Sequence, residues 1–243
     1  MAVTIELSGQ KLLLLNGGPE FKINPSISFF IVCEDEKEVD ISWKKLIDGS
    51  TVMMPIDNYP WSKRYGWIQD RFGVNWQLSF AEPAVAGQKI TPALMFTDKI
   101  FGKAEEAINF YTSLFEGSGV DLISKYTKDD NDVEGAVNHA QFRLRNRVFM
   151  AMDSSAMHKF SFNEGISLVV ECDNQKEIDY FWDNFTKDGE ESQCGWLKDK
   201  YGVSWQIIPS ILNELMSDPA KSERVINAFL KMKKFDIEKL LNS

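Results

Sequence analysis

The feature that most constrains this chain is that it repeats itself. Residues 66–78 read GWIQDRFGVNWQL and residues 195–207 read GWLKDKYGVSWQI, with seven of thirteen positions identical. Upstream, Cys33, Lys37, Glu38, Asp40 and Trp43 recur as Cys172, Lys176, Glu177, Asp179 and Trp182, and Ile27-Ser28 recurs as Ile166-Ser167. A third stretch, IELSGQKLLLLN at 5–16, matches FRLRNRVFMAMD at 142–153. Three collinear matches imply a duplicated unit, so one plan must fold twice in the same chain.

The offset between copies runs 137, then 139, then 129 residues. Two extra residues therefore sit in the second copy near Ser154 to Lys159. About ten sit in the first copy between Thr51 and Tyr65, a stretch with Pro55, Pro60 and Trp61 that reads as a loop, because loops absorb length changes cheaply. Residues 90–137 have no counterpart in the first copy, which starts part-way through its unit. Either the ancestral gene was trimmed or the natural protein begins upstream of Met1. A sheet edge exposed by that loss must be covered by the second copy, the C-terminal tail or a second chain.

Hydrophobic periodicity gives the elements of a copy. ITPALMF (90–96) reads as a strand. The stretch 102–115 carries Ala104, Ala107, Ile108, Tyr111, Leu114 and Phe115 on one helical stripe. VDLISKYT, NHAQFRLR and RVFMAMD follow as strands, the last two as a hairpin, with Ala140, Phe142 and Leu144 on one face and His139, Gln141 and Arg143 on the other. GISLVVEC is the next strand, and Asn174 offers an N-cap for a helix to about Lys187. Strands near 193–197 and 203–209 close the copy. The order is βαβββ twice over, and a helix on one face of each sheet leaves the other face concave. Beyond Pro209 short amphipathic segments form a packing tail.

Composition narrows the function. A net charge of −9 disfavours nucleic acid and anionic membrane surfaces. No apolar run approaches membrane-spanning length. Cys33, Cys172 and Cys194 form no CxxC pair and no even framework, which fits free thiols in a reducing cytoplasm. The chain reads as a cytoplasmic protein with a small-molecule partner.

At GWLKDKYGVSWQI, with ISLVVECDNQKEIDYFW and ITPALMFTD…AEEAINFYTSLF upstream, the sequence resembles the PhnB-like, or 3-demethylubiquinone-9 3-methyltransferase-like, family of the glyoxalase/bleomycin-resistance/extradiol-dioxygenase (vicinal oxygen chelate) superfamily. The resemblance implies an α+β fold of tandem glyoxalase-like domains, each of paired βαβββ units forming curled, cup-shaped mixed sheets, with a C-terminal helical tail. The first domain, 1–86, lacks its opening strand-helix-strand; the second, 87–210, is complete; the tail is 211–243. A homodimer is expected. The superfamily's usual mechanism implies a divalent metal held by His and carboxylate, but no cofactor is predicted. ITPALMF and GISLVVEC carry no His, and the closing-strand glutamate position reads Gln206 and Gln77, weaker ligands than carboxylate. The methyltransferase label wants a Gly-rich strand-to-helix turn, and Leu15-Asn16-Gly17-Gly18-Pro19 opens no amphipathic helix. Two further readings stay open: a metal-dependent isomerase, lyase or dioxygenase with atypical ligands, and a non-catalytic sequestering binder.

Five residues are candidate ligand contacts, and none is assigned a catalytic role. Gln206 and Gln77 sit mid-strand beside Trp205 and Trp76, so one of each pair points into the cup and the other into the core. Trp196 and Trp67 are either core packing or a stacking wall. Asp153, aligned with Asn16, is either turn chemistry or a lone acid. Cys194 is aligned with Tyr65, so the duplication preserves no thiol there. His139 and His158 read as surface or loop residues.

Overall fold

The computed structural model describes residues 2–80 and 88–243. It divides into two compact units, one ending at Ser161 and one beginning at Phe162. The expected boundary at 86/87 lies outside the described residues.

The first unit opens with a hairpin, β1 (Ala2–Leu7) and β2 (Gln10–Leu15), that forms its own two-stranded sheet. Its counterpart in the second copy, β9 (Val137–Leu144) and β10 (Arg147–Asp153), sits inside a larger sheet because β10 pairs in parallel with β7 (Ile90–Phe96). Among the described residues the first copy shows no equivalent of β7. Its hairpin therefore keeps Val3, Leu13, Leu14 and Leu15 exposed.

The remainder of the first copy is β3 (Ile27–Val32), α1 (Glu36–Leu46), β4 (Thr51–Tyr59), β5 (Ser62–Gln69) and β6 (Asn75–Phe80). β3 pairs in parallel with β6 on one side and antiparallel with β7 on the other, Phe29 opposite Pro92. With α2 (Ala104–Leu114) and β8 (Gly119–Lys125), the unit holds an eight-stranded sheet ordered β4-β5-β6-β3-β7-β10-β9-β8. The edge of β3 away from β6 is covered by β7 of the second copy. Packing thus groups the half-units across the repeat: the last half of copy one joins the first half of copy two.

The second unit holds β11 (Leu168–Cys172), α3 (Gln175–Thr186), the two-residue β12 (Glu190–Glu191), β13 (Trp196–Lys198) and β14 (Ser204–Pro209), ordered β11-β14-β13-β12. The tail forms α4 (Leu212–Ser217), α5 (Ser222–Phe229) and α6 (Ile237–Leu241). It docks through backbone: the amides of Cys194 and Gly195 donate to the carbonyls of Met232 and Lys233, and Gln175 holds both Phe235 and Ile237.

One expectation needs correction. Residues 51–65 are no loop: they form β4, a tight turn at Pro60-Trp61, and the start of β5. β4 pairs with β5 through three register shifts, and Pro55 is tolerated because β4 is an edge strand.

The repeated acidic residues explain themselves as helix starts. Asp35 caps α1 by accepting from the Glu38 amide, while Glu38 accepts from the Glu34 amide; Asn174, Glu177 and Asp173 do the same for α3. The apolar stripe of α1 then lies on the sheet, Val39 and Trp43 meeting Ile68, Leu78 and Cys33.

Candidate functional site

The side chains on the helix-free faces are aimed by two turns, one in each copy. In the first, the Asp70 carboxylate accepts from the backbone amides of Phe72 and Val74 and from Trp76 Nε1 at 2.9 Å. In the second, Asp199 accepts from Tyr201, Val203 and Trp205 Nε1, again at 2.9 Å. Gly73 and Gly202 take φ of 90° and 84°, which lets the chain turn back. The D–K/R–F/Y–G–V–x–W pattern is therefore a self-bonded hairpin turn. It fixes the register of β5 against β6 and of β13 against β14, and with it which residues face outward.

Alternation does the rest. Trp76 packs against Phe29 on the α1 side, ring centroids 5.4 Å apart, and Trp205 stacks on Phe185 of α3 at 4.4 Å. Gln77 and Gln206 must then face away from the helices. Both do so in the same way: Gln77 Nε2 donates to Ser28 Oγ at 2.8 Å, and Gln206 Nε2 donates to Ser167 Oγ at 2.8 Å. The Gln–Ser pair links closing strand to opening strand in each copy. Trp67 and Trp196 lie directly opposite these glutamines in the ladder, so they share the helix-free faces and are half-buried.

The copies differ at one position of consequence. Tyr65 is buried, donates to Gln77 Oε1 at 2.6 Å, and burial pushes its phenol well above the usual range. Cys194 replaces it in the second copy, in a left-handed conformation with φ 57°, and no side chain among the described residues donates to Gln206 Oε1. Around Tyr65 stands an aromatic group with no counterpart among the described residues of the second copy. Tyr59 and Trp61 stack at 5.0 Å, both meet Tyr65 edge-on, and Phe30 lies 6.1 Å away. The first-copy insertion supplies Tyr59 and Trp61; its length was legible in the sequence but its role as an aromatic wall was not.

The face continues onto strands of the second copy. Ser28 pairs with Ala93, and Ala93 with Met150, so Met150 and its antiparallel partner Gln141 share the side of Gln77. His139, two residues from Gln141, lies there half-buried, and burial holds its imidazole below the usual range. It is not a plain surface residue; only the neighbouring strand could reveal that. Asp153 is on the other side. Fully buried, it accepts from the amides of Gly102 and Ala104 at the start of α2 and of Val137 at the start of β9, so it does not converge with Gln77 and Trp67. Burial raises its pKa while these three bonds pull it down. His158 bonds Ser154 in the following loop.

Gln77 and Trp67 are thus brought together in the first unit, and Gln206 and Trp196 in the second. A chelated divalent metal does not fit either face. The positions that would ligate it present an amide and a hydroxyl already bonded to each other, and no group of three or more His, Cys, Asp or Glu among the described residues could hold a metal ion. No helix among the described residues is long and apolar enough to cross a membrane.

Comparison with known proteins places this geometry. The family model for 3-demethylubiquinone-9 3-methyltransferase matches residues 1–79 and 88–208. A PhnB protein from Bacillus cereus is 44% identical over 51% of this chain and 100% of its own, with a TM-score of 0.47. Glyoxalase I from Zea mays is similar in fold alone, 16% identical over 85% of this chain and 76% of its own, with a TM-score of 0.55. No curated protein matches the chain.

Proposed function

Because the chain belongs to the 3-demethylubiquinone-9 3-methyltransferase (PhnB-like) family of the glyoxalase superfamily, we propose that it binds a small, planar, uncharged molecule on the helix-free face of the eight-stranded sheet. The observation that carries this reading is the chain Tyr65–Gln77–Ser28 beside the aromatic group of Tyr59, Trp61 and Phe30. Phe30 and Met150 give apolar area, and aromatic rings give stacking surface. Gln77 is held by both neighbours, so its second amide hydrogen presents to a carbonyl or hydroxyl oxygen of the ligand without reorganising. The neutral His139 and the neutral amide disfavour a charged ligand that must shed its water.

Methyl transfer draws no support from these residues: the stretch after β2 opens no helix, so no helix N-terminus is there to hold a donor. A metal-dependent isomerase, lyase or dioxygenase lacks ligands at the expected positions. Binding and sequestration ask least of the side chains present. The same reading takes the protein to be cytoplasmic and homodimeric, with no nucleic-acid or membrane partner. The limits 1–86, 87–210 and 211–243 mark descent in this reading, and the site draws on both sides of the first limit. In the second unit, Gln206 and Trp196 form an incomplete version of the face.

A thermal-shift panel of phenols and quinones tests the proposal. A binder at a hundred times its Kd stabilises by about 2.7 kcal/mol. The shift is expected to vanish in Gln77→Leu and to persist in Gln206→Leu. A panel without any shift, or a shift that Gln77→Leu leaves intact, sinks it.

A further inference from the structure

Among the described residues, the outer edges of the two larger sheets are not alike. β4 is broken by three register shifts and carries Pro55. β8 has two shifts and ends in Lys125. β12 is two glutamates long. Bulges, prolines, charges and brevity are the devices that keep an edge from pairing. β11 carries one of them, the charge of Glu171 near its end; it has no register shift and no proline, and Val169 is 42% exposed.

The repeat says what such an edge is for. β11 is the counterpart of β3, and the same edge of β3 is occupied by β7. The hydrogen bonds Met95 N–H to Ser26 O and Val32 N–H to Lys89 O set that register. Stepping by two, Ser28 and Phe30 belong to hydrogen-bonded pairs and Phe29 opposite Pro92 to a non-bonded one, which is why a residue without N–H is tolerated there. The bonds Ser154 N–H to Phe96 O and Ser210 N–H to Cys172 O mark Phe96 and Cys172, hence also Cys33, as equivalent positions. By that equivalence Pro92 matches Phe29 itself. The β3–β7 pairing is therefore two-fold about the Phe29–Pro92 pair, and a strand equivalent to both can pair with its own copy. In β11 the centre falls on Leu168. The backbone groups of Ser167, Val169 and Glu171 point away from β14 and have no strand partner among the described residues.

We infer that β11 pairs antiparallel with β11 of a second copy about a two-fold axis at Leu168, joining two four-stranded sheets into an eight-stranded one. This rests on the homodimer reading and says where the dimer forms. Ser167 lies opposite the partner's Val169, Ile166 opposite the partner's Val170, and Leu168 opposite the partner's Leu168. No like charges meet in that stretch. The face bearing Gln206, Ser167 and Trp196 is half a site alone and becomes continuous only when the partner supplies the other half.

Cysteine cross-linking of the full chain tests the register. Leu168 occupies a non-bonded pair, where Cα atoms lie about 4.5 Å apart, within disulfide reach. Leu168→Cys is expected to give a covalent dimer of doubled mass under mild oxidation. The double variant Ile166→Cys with Val170→Cys is expected to do so too, covering the case in which Leu168→Cys folds poorly. Wild type and Val170→Cys alone are expected to stay uncrosslinked. Light scattering separates the failures. A dimer that neither variant locks overturns the strand pairing and leaves the homodimer standing. A monomer at tens of micromolar overturns both.

Discussion

Replacing Asp199 by Asn tests whether the repeated turn is held by its buried carboxylate. Asn keeps one carbonyl oxygen for the amides of Tyr201 and Val203, now 2.9 and 3.1 Å from Asp199 Oδ1. Its amino group then faces the Trp205 Nε1–H, which presently donates to Oδ2 at 2.9 Å. Two donors meet. Trp205 is 2% exposed and Asp199 3% exposed, so water cannot take over. Losing a charge-assisted bond costs about 1.5–3 kcal/mol, and an unsatisfied buried donor sits at the upper end of that range. Asp199→Asn is therefore expected to cost about 2–4 kcal/mol, a large part of a typical domain's stability. The matching change at Asp70 makes the same bonds but is half-exposed, as is Trp76. Water replaces what is lost there, and Asp70→Asn should cost about 1 kcal/mol. Urea unfolding gives the two values, and hydrogen exchange on peptides from each unit shows where protection falls. Equal costs, within about 0.5 kcal/mol, would refute burial as the deciding variable.

Other expectations follow from burial and fit. Burial pushes the Cys33 thiol up to about 11 and also raises Cys194, which is only half-buried; a thiol reagent on the native protein is expected to titrate Cys194 slowly and to reach Cys33 and Cys172 only after unfolding. His139 and His158 are both held below 6.5, chiefly by burial. Their neutral forms are favoured in the fold, so stability is full above that pH and falls as pH drops through the folded values; the slope between about pH 7.5 and 5.5 should flatten in His139→Gln. Gly195→Ala places a Cβ 2.5 Å from the Phe235 ring and 2.6 Å from the backbone carbonyl of Ile207, at a φ of +80°. Overpacking of about 1–3 kcal/mol adds to backbone strain of about 1–2 kcal/mol. In a double-mutant cycle Phe235→Ala should relieve only the ring contact, leaving the Ile207 carbonyl contact and the strain, so calorimetry of the double variant is expected to show a cost smaller than the sum of the two single changes.

Much of the fold was legible in the residues because local chemistry dictates it. The 3.6-residue stripe of 102–115 became α2, and Asn174 capped α3, since capping and amphipathicity act within a few residues. The loop expected at 51–65 failed for the complementary reason. Pro55 and Pro60 argue against a strand only where the N–H is needed, and an edge strand with bulges does not need it. In the site, Gln77 and Gln206 stood out by recurring, yet their Ser28 and Ser167 partners lie 49 and 39 residues away and nothing in the spacing joins them. Asp153 read as turn chemistry or a lone acid at a strand end, and only the packing of α2 and β9 around it shows the amides of Gly102, Ala104 and Val137 using it.

By itself the sequence determined the duplication, the half-units and the faces of the strands, because period and repeat are properties of a line. Tertiary structure decided which half-units pair. β3 and β11 carry nearly the same opening residues, but β3 has β7 beside it and β11 has no strand there among the described residues. Edge pairing depends on what else the chain brings within hydrogen-bonding reach, and no local pattern records that.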